Sequence, residues 1–138
     1  MGEIPIGAVI VKDGEIIGKG YNQVETLHDP TCHAEIIAIK EACKKTGNHR
    51  LTGCELYVTV EPCSMCAGAI VWARISKVHI GTMDEKSGAC GSVYNLIQEE
   101  RFNHRVEIEK YEIPNICQDL MQNFFKDLRR GKKSEEIK

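Results

Sequence analysis

Hydrophobic and polar positions change period several times along this chain, and each change marks an expected element. IGAVIV (Ile6 to Val11) is apolar on both faces, KDGE interrupts it, and IIGKGY resumes the apolar run. Asp13-Gly14 between two such runs is a strong hairpin signal. A first strand without a polar face is expected to be central and covered on both sides by helices. From His33 to Lys45 the period becomes helical: Ala34, Ile37, Ala38, Glu41 and Ala42 fall on one side, and Gly47 follows as a stop. ELYVTV (Glu55 to Val60) reads as a buried strand. CSMCAGAIVWA after Pro62 reads as a short helix rich in small residues. KVHIG (Lys77 to Gly81) predicts another short strand, followed by the glycine-rich loop MDEKSGACGS. RVEIEKYE (Arg105 to Glu112) alternates as an exposed edge strand should. Beyond Pro114, Ile116, Leu120, Phe124 and Leu128 step every four residues along one face of a terminal helix. The order ββαβαβ, then a strand and helices, predicts an α/β fold: a three-layer α/β/α sandwich around a mixed five-stranded sheet.

Composition narrows the class without selecting a function. A chain of 138 residues, 42% hydrophobic and 28% charged, fits one ordinary globular domain over residues 1–138. The tail GKKSEEIK (residues 131–138) is expected to fray. No apolar run approaches the ~20 residues that cross a bilayer, and the N-terminus lacks a basic flank and a cleavage-like site, so a cytoplasmic protein is expected, with no membrane partner. Seven cysteines is an odd number for a disulfide framework; reduced thiols, some of them metal ligands, fit better. The net charge of -2 makes the whole molecule no magnet for polyanions. Nucleic-acid contact would have to come from local basic patches such as KDLRRGKK (Lys126 to Lys133).

The sharpest chemical signal is EPCSMC (Glu61 to Cys66). A C-x-x-C pair supplies two thiolates, and a protein-bound zinc needs at least three protein ligands. Among the histidines at 28, 33, 49, 79 and 104, His33 stands out because it begins a helix and is followed by Ala34-Glu35. Strand ELYVTV then returns the chain to Cys63, which begins the next helix. Two consecutive helices leaving the same sheet edge bring their N-termini together, where dipoles and free N–H groups are expected to lower thiol pKa values. One histidine and two cysteines leave the fourth position for water, whose pKa zinc lowers to about 7. A neighbouring carboxylate that is not a ligand, Glu35, can take a proton and return it to a leaving amine. H-x-E with P-C-x-x-C is the recognised signature of the zinc nucleobase deaminases. A lone C-x-x-C is more often a structural half-site or redox pair, and Cys32 or Cys54 could close the site as a fourth ligand. The coincidence of Pro62, Glu61, two helix starts and a non-ligand Glu35 favours the open catalytic site. Cys32, Cys43, Cys54, Cys90 and Cys117 are read as small buried apolar residues.

TCHAEIIAI, ELYVTVEPCSMCAGAIVWARI, KSGACGS and FNHRVEI, in that order, resemble the bacterial tRNA-specific adenosine deaminases of the cytidine deaminase superfamily. The resemblance runs from about Ile4 into the terminal helix. HAE and PCxxC are shared by the superfamily; GAVIV, HDPTxHAE, KxGAxGS and FNHRVE are the narrower marks. The resemblance implies conversion of adenosine to inosine at the wobble position of a tRNA anticodon, by a homodimer binding one Zn2+ per subunit with water or hydroxide as fourth ligand. It implies His33, Cys63 and Cys66 as ligands and Glu35 as proton shuttle. It also implies Asn22 hydrogen-bonding the flipped base and Asp84 near the nucleotide's sugar. His104 and Arg105, with the arginines of the last helix (Arg129, Arg130), would meet phosphates. From the residues alone Asn22 also reads as a turn residue, a choice the resemblance tips toward the base contact, and Asp84 as a solvated loop charge. Members usually carry a helix ahead of the first strand, whereas this sequence begins at Met1-Gly2-Glu3-Ile4 almost directly in strand one, which fits either a truncated start or a dispensable helix. The adjacency of Ile70, Val71 and Trp72 independently suggests a helix apolar on more than one face, one side for the sheet and one for a partner subunit or the terminal helix. Two rivals stand beside this reading: a free-base or nucleoside deaminase resembling guanine deaminase, and a non-catalytic zinc-stabilised interaction domain.

Overall fold

The structure, a computed structural model, describes residues 7–110. The expected terminal helix from Ile116, the basic patch at Lys126 to Lys133, Arg129, Arg130, Cys117 and the tail lie outside the described residues.

The chain runs β1 (Gly7–Lys12), β2 (Glu15–Tyr21), a short α1 (Val24–Leu27), α2 (Ala34–Thr46), β3 (Glu55–Val60), α3 (Ser64–Trp72), β4 (Lys77–Thr82), a 3-10 turn (Leu96–Gln98) and β5 (Glu107–Lys110). The five strands form one mixed sheet ordered β2-β1-β3-β4-β5. β1 lies antiparallel to both β2 and β3, whereas β3, β4 and β5 run parallel. The hairpin turns where Asp13-Gly14 predicts it, with φ of 50° at Asp13 and 80° at Gly14, the left-handed pair that matches the strands' twist.

One face of the sheet carries Ala8, Ile10, Leu56, Val58, Val78 and Ile80, which cluster with Ala34, Ala38 and Ala42 of α2 and Ala67 and Ile70 of α3. Both long described helices therefore cover the same face. The opposite face presents Val9, Tyr57 and His79, all buried, with the Tyr57 and His79 rings stacked at 4.0 Å. The helix expected to cover that side falls on residues outside those described.

The small residues of α2 let it lie unusually close to β2. A Cβ at Gly18 would stand 2.3 Å from the Ala38 carbonyl oxygen, and one at Gly20 would stand 2.2 Å from that of Ala34. Gly47, at φ 70°, ends α2 as expected of a C-terminal glycine.

Two expectations need adjustment. β5 begins at Glu107 rather than Arg105, because the preceding residues turn inward. The Val106 N–H donates to the Ile97 carbonyl, and the His104 ring bonds the Ile75 carbonyl at 2.7 Å. Periodicity also gave no sign of α1 or of the 3-10 turn, each a single turn held by its loop.

β2 and β3 both run opposite to β1, so their carboxyl ends lie at the same edge. β4 ends there too. The helices following β2 and β3 start at that edge, and so does the loop following β4. Ligand sites of open α/β sheets form in such a crevice.

Candidate active site

Each long helix begins with a residue that caps poorly. N-cap positions favour Ser, Thr, Asp and Asn, whose oxygens satisfy free N–H groups. Here His33 caps α2 and Cys63 caps α3, both in extended conformation, and neither side chain bonds its own helix end. Both side chains are thereby released into the space between the two helix starts. Cys66, one turn into α3 and buried, joins them. The His33 nitrogen and the two sulfurs all lie within 4.8 Å of one another, and Cys63 Sγ stands 3.6 Å from His33 Nδ1. Tetrahedral zinc sets its ligand atoms about 3.5 Å apart for nitrogen and sulfur and about 3.8 Å for two sulfurs. The donor set fits such an ion in chemistry and in spacing.

His33 is delivered by a tightly bonded loop. The Asp29 carboxylate accepts the Thr31 N–H at 2.8 Å and the Thr31 hydroxyl at 2.6 Å. The Gln23 N–H donates to the Cys32 carbonyl at 2.9 Å. Bonds from the Thr31 hydroxyl and N–H hold the Asp29 carboxyl below the usual carboxylate range.

Glu35 lies in the first turn of α2, 5% exposed. It is absent from the ligand group, yet its carboxyl neighbours the Cys66 thiol. Burial pushes its pKa up, opposed by its own backbone N–H and by Cys66. A carboxyl raised in this way holds its proton closer to neutral pH, the property a general acid and base requires. One sequence expectation fails nearby. Helix dipoles were expected to lower the thiol pKa values, but burial, followed by the charges of Glu35 and Cys63, pushes the Cys66 thiol up. A bound cation would favour the Cys66 thiolate.

Cys32 and Cys54 take no part. Cys32 is buried beside Asp29, and Cys54 Sγ lies 4.0 Å from the Thr52 carbonyl. Among the described residues, His33, Cys63 and Cys66 stand alone as a ligand group, with no fourth cysteine to close it.

The remaining candidates have bonds of their own. The exposed Asn22 accepts the Val24 N–H at 3.0 Å, closing a turn just after β2. Asp84, at the carboxyl end of β4, accepts the N–H groups of Lys86 and Ser87 at 3.0 and 3.2 Å and the Ser87 hydroxyl at 2.8 Å. His104 bonds the Ile75 carbonyl, and Arg105 donates to the Glu100 carbonyl at 2.9 Å.

Glu61 is the polar residue whose role the sequence left unread. It is 4% exposed, between β3 and Pro62. Its Oε1 accepts the Asp84 N–H at 2.9 Å and the Ser92 hydroxyl; its Oε2 accepts the N–H groups of Cys90 and Ser92 at 2.9 and 3.0 Å. Burial alone would raise its pKa, but these bonds, led by the Ser92 hydroxyl, bring it below the ordinary value. The available signal was an acid wedged between an apolar strand and Pro-Cys.

Comparison with known proteins agrees with this geometry. The family model of the MafB19-like deaminases matches residues 1–129. The tRNA-specific adenosine deaminase of Aquifex aeolicus (strain VF5) is 52% identical over 130 residues, covering 94% of this chain and 85% of the relative. That of Bacillus subtilis (strain 168) is 49% identical over 133 residues, covering 96% and 83%. Among solved structures, one described in a study of A-to-I editing by tRNA:A34 deaminases at the wobble position of transfer RNA superposes with a TM-score of 0.73. It is 43% identical, covering 76% of this chain and 81% of its own. Guanine deaminase from Bacillus subtilis superposes with a TM-score of 0.58 at 36% identity, covering 88% and 79%.

Proposed function

The chain belongs to the tRNA-specific adenosine deaminases, and from that premise we propose that it converts adenosine to inosine at the wobble position of a tRNA anticodon, releasing ammonia. The observation that carries this reading is a three-member His33, Cys63, Cys66 group with a buried, non-ligand Glu35 beside it. His33 Nδ1 and the sulfurs of Cys63 and Cys66 would hold one Zn2+ per subunit. Bound zinc supplies Lewis-acid activation of water.

Glu35 handles the protons. Water adds to the purine carbon bearing the amino group, and the Glu35 carboxylate takes the proton that water loses and passes it to the neighbouring ring nitrogen. Glu35 then takes the proton of the added hydroxyl as the carbonyl forms and delivers it to the amine as the carbon–nitrogen bond breaks, so that water and adenosine give inosine and ammonia. An anticodon loop is already single-stranded, so presenting one base costs less than extracting it from a duplex. Asn22, its Oδ1 engaged by Val24, offers its Nδ2 hydrogens to the base edge. Asp84 retains acceptor capacity for a sugar hydroxyl beyond its bonds within the loop. Arg105 and His104 would meet phosphates with the donors not spent on Glu100 and Ile75. The protein would work in the cytoplasm as a homodimer, one domain per subunit.

The deciding experiment compares the protein with Glu35→Gln on an anticodon stem-loop, measuring zinc and inosine on the same samples. Glu35→Gln should keep zinc and lose at least ~10²–10⁴-fold in turnover, as expected for lost general acid–base catalysis. Turnover of free guanine in preference to the stem-loop would favour the guanine deaminase reading instead, and full activity of Glu35→Gln would remove Glu35 from the chemistry.

A further inference from the structure

The loop from Met83 to Ser92 is built around a single buried carboxylate that belongs to another element. Both Glu61 oxygens are used twice, by the Asp84 N–H and the Ser92 hydroxyl on one and by the Cys90 and Ser92 N–H groups on the other. Its donors sit at the two ends of the loop, so the carboxylate draws those ends together. Gly88 completes the packing: a Cβ there would lie 2.2 Å from Glu61 Cδ and 2.3 Å from Oε1, so only glycine lets the loop close on the acid. The same loop is stitched to the residue before Cys63, since the Ala89 N–H donates to the Pro62 carbonyl at 2.9 Å. Cys90, on the returning limb of the loop, is fully buried, so this limb packs into the core beside the acid that its N–H bonds.

We propose that Glu61 is a positioning residue that fixes this loop as one wall of the substrate pocket, in register with the Cys63 helix start. The acid is suited to this work because it is an acceptor only. Four donors from three loop residues converge on it, and no neutral side chain of the same size accepts at both positions. In Glu61→Gln the amide nitrogen must replace one oxygen. On one side it opposes the Asp84 N–H, and on the other it opposes two N–H groups, so at least one buried donor loses its partner in either orientation. The ligands and Glu35 are untouched. The loop shifts while the reacting groups stay, so the loss should fall on substrate binding rather than on chemistry.

This inference rests on the deaminase reading, and the test separates the two. Wild type, Glu61→Gln and Ser92→Ala are compared at saturating zinc for KM and kcat on an anticodon stem-loop. Zinc content and backbone amide exchange are measured on the same samples. Glu61→Gln should raise KM at least about tenfold with kcat within about threefold, the signature of lost uniform binding. Exchange should quicken at Asp84, Cys90 and Ser92. Ser92→Ala removes one hydroxyl and keeps the charge, so it should raise KM about two- to fivefold, and it keeps the test alive if Glu61→Gln fails to fold. A merely structural residue would lower kcat through a smaller folded or zinc-loaded fraction and leave KM alone. KM within about twofold of wild type in every variant that folds overturns the proposal, whatever happens to kcat. Failure of the wild type itself to form inosine overturns the deaminase reading first.

Discussion

At the scale of single residues, the site depends on side chains placed where their usual local role is refused. His33 and Cys63 occupy N-cap positions without capping, so their removal should cost little helix stability and much metal. Cys63→Ser and His33→Ala are therefore expected to bind zinc far more weakly than wild type in a chelator competition. Because the proposed ion would tie two helix starts together, they should also lose any Tm increment that added zinc gives wild type. A variant that keeps a full equivalent of zinc against chelator would show that the ligand set lies elsewhere. Asp29 acts one step behind them, shaping the loop that presents His33. Its folded pKa lies below the ordinary value because of Thr31, so the stability it contributes is present above the unfolded carboxylate pKa and lost as pH falls through the folded one. Asp29→Ala should accordingly lower Tm at pH 7, and the deficit should shrink as pH falls through the folded pKa of the wild-type carboxyl. A deficit that does not change with pH would remove the Thr31 bonds as the cause. His33, Glu35, Cys63 and Cys66 were legible in the sequence because zinc chemistry dictates residue type and spacing together. Glu61 was not, because three of its four bonds come from backbone N–H groups, which every residue but proline carries.

At the scale of elements, the approach of α2 to β2 decides where His33 and Glu35 stand. In the sequence, Gly18 and Gly20 look like residues that weaken a strand; in the fold they are the only residues that let the helix backbone come so near. A methyl group at Gly20 would meet the Ala34 carbonyl at 2.2 Å and the Ala38 nitrogen at 2.9 Å, both backbone atoms that cannot swing aside. Gly20→Ala should therefore push the first turn of α2 off the sheet. The expected cost is about 1–3 kcal/mol of stability, as for an overpacked core, with weaker zinc binding because His33 heads that turn. Thermal unfolding with and without zinc measures both, and a variant as stable and as metal-avid as wild type would mean that α2 sits farther from β2. Strand and helix identity was legible for β1 to β4, α2 and α3 because apolar periodicity reports burial. The start of β5 was not, since the alternation of RVEIEKYE continues through residues that tertiary bonds to Ile75 and Ile97 pull inward. The close packing at Gly20 was illegible for the same reason: periodicity says which face is buried and nothing about distance.

At the scale of the whole molecule, α3 has two jobs, and only one of them is completed within the described residues. Cys66, Ala67 and Ile70 face inward to the site and the core. Trp72 on the same helix is 81% exposed, next to a cleft of about 260 Å³ lined by Gly68, Val71, Arg74, Arg101, Phe102 and Asn103. A tryptophan left in water forgoes the burial of roughly 150–250 Å² that aromatic residues usually achieve, and aromatic and arginine side chains around a small cleft are the composition of interface hot spots. The homodimer proposed above would place Trp72 in such a contact. Trp72→Glu puts an unpaired charge there, so it should convert a dimeric mass to a monomeric one at micromolar concentration in sedimentation or light-scattering measurements. Zinc content should stay unchanged, because Trp72 lies at the far end of α3 from Cys63 and Cys66. The other occupant suggested by the sequence is the terminal helix expected from Ile116. In that case Trp72→Glu would lower Tm without altering mass, and wild type would itself be monomeric. A monomeric, fully active wild type overturns the dimer, and a dimer indifferent to Trp72→Glu moves the interface off this face of α3.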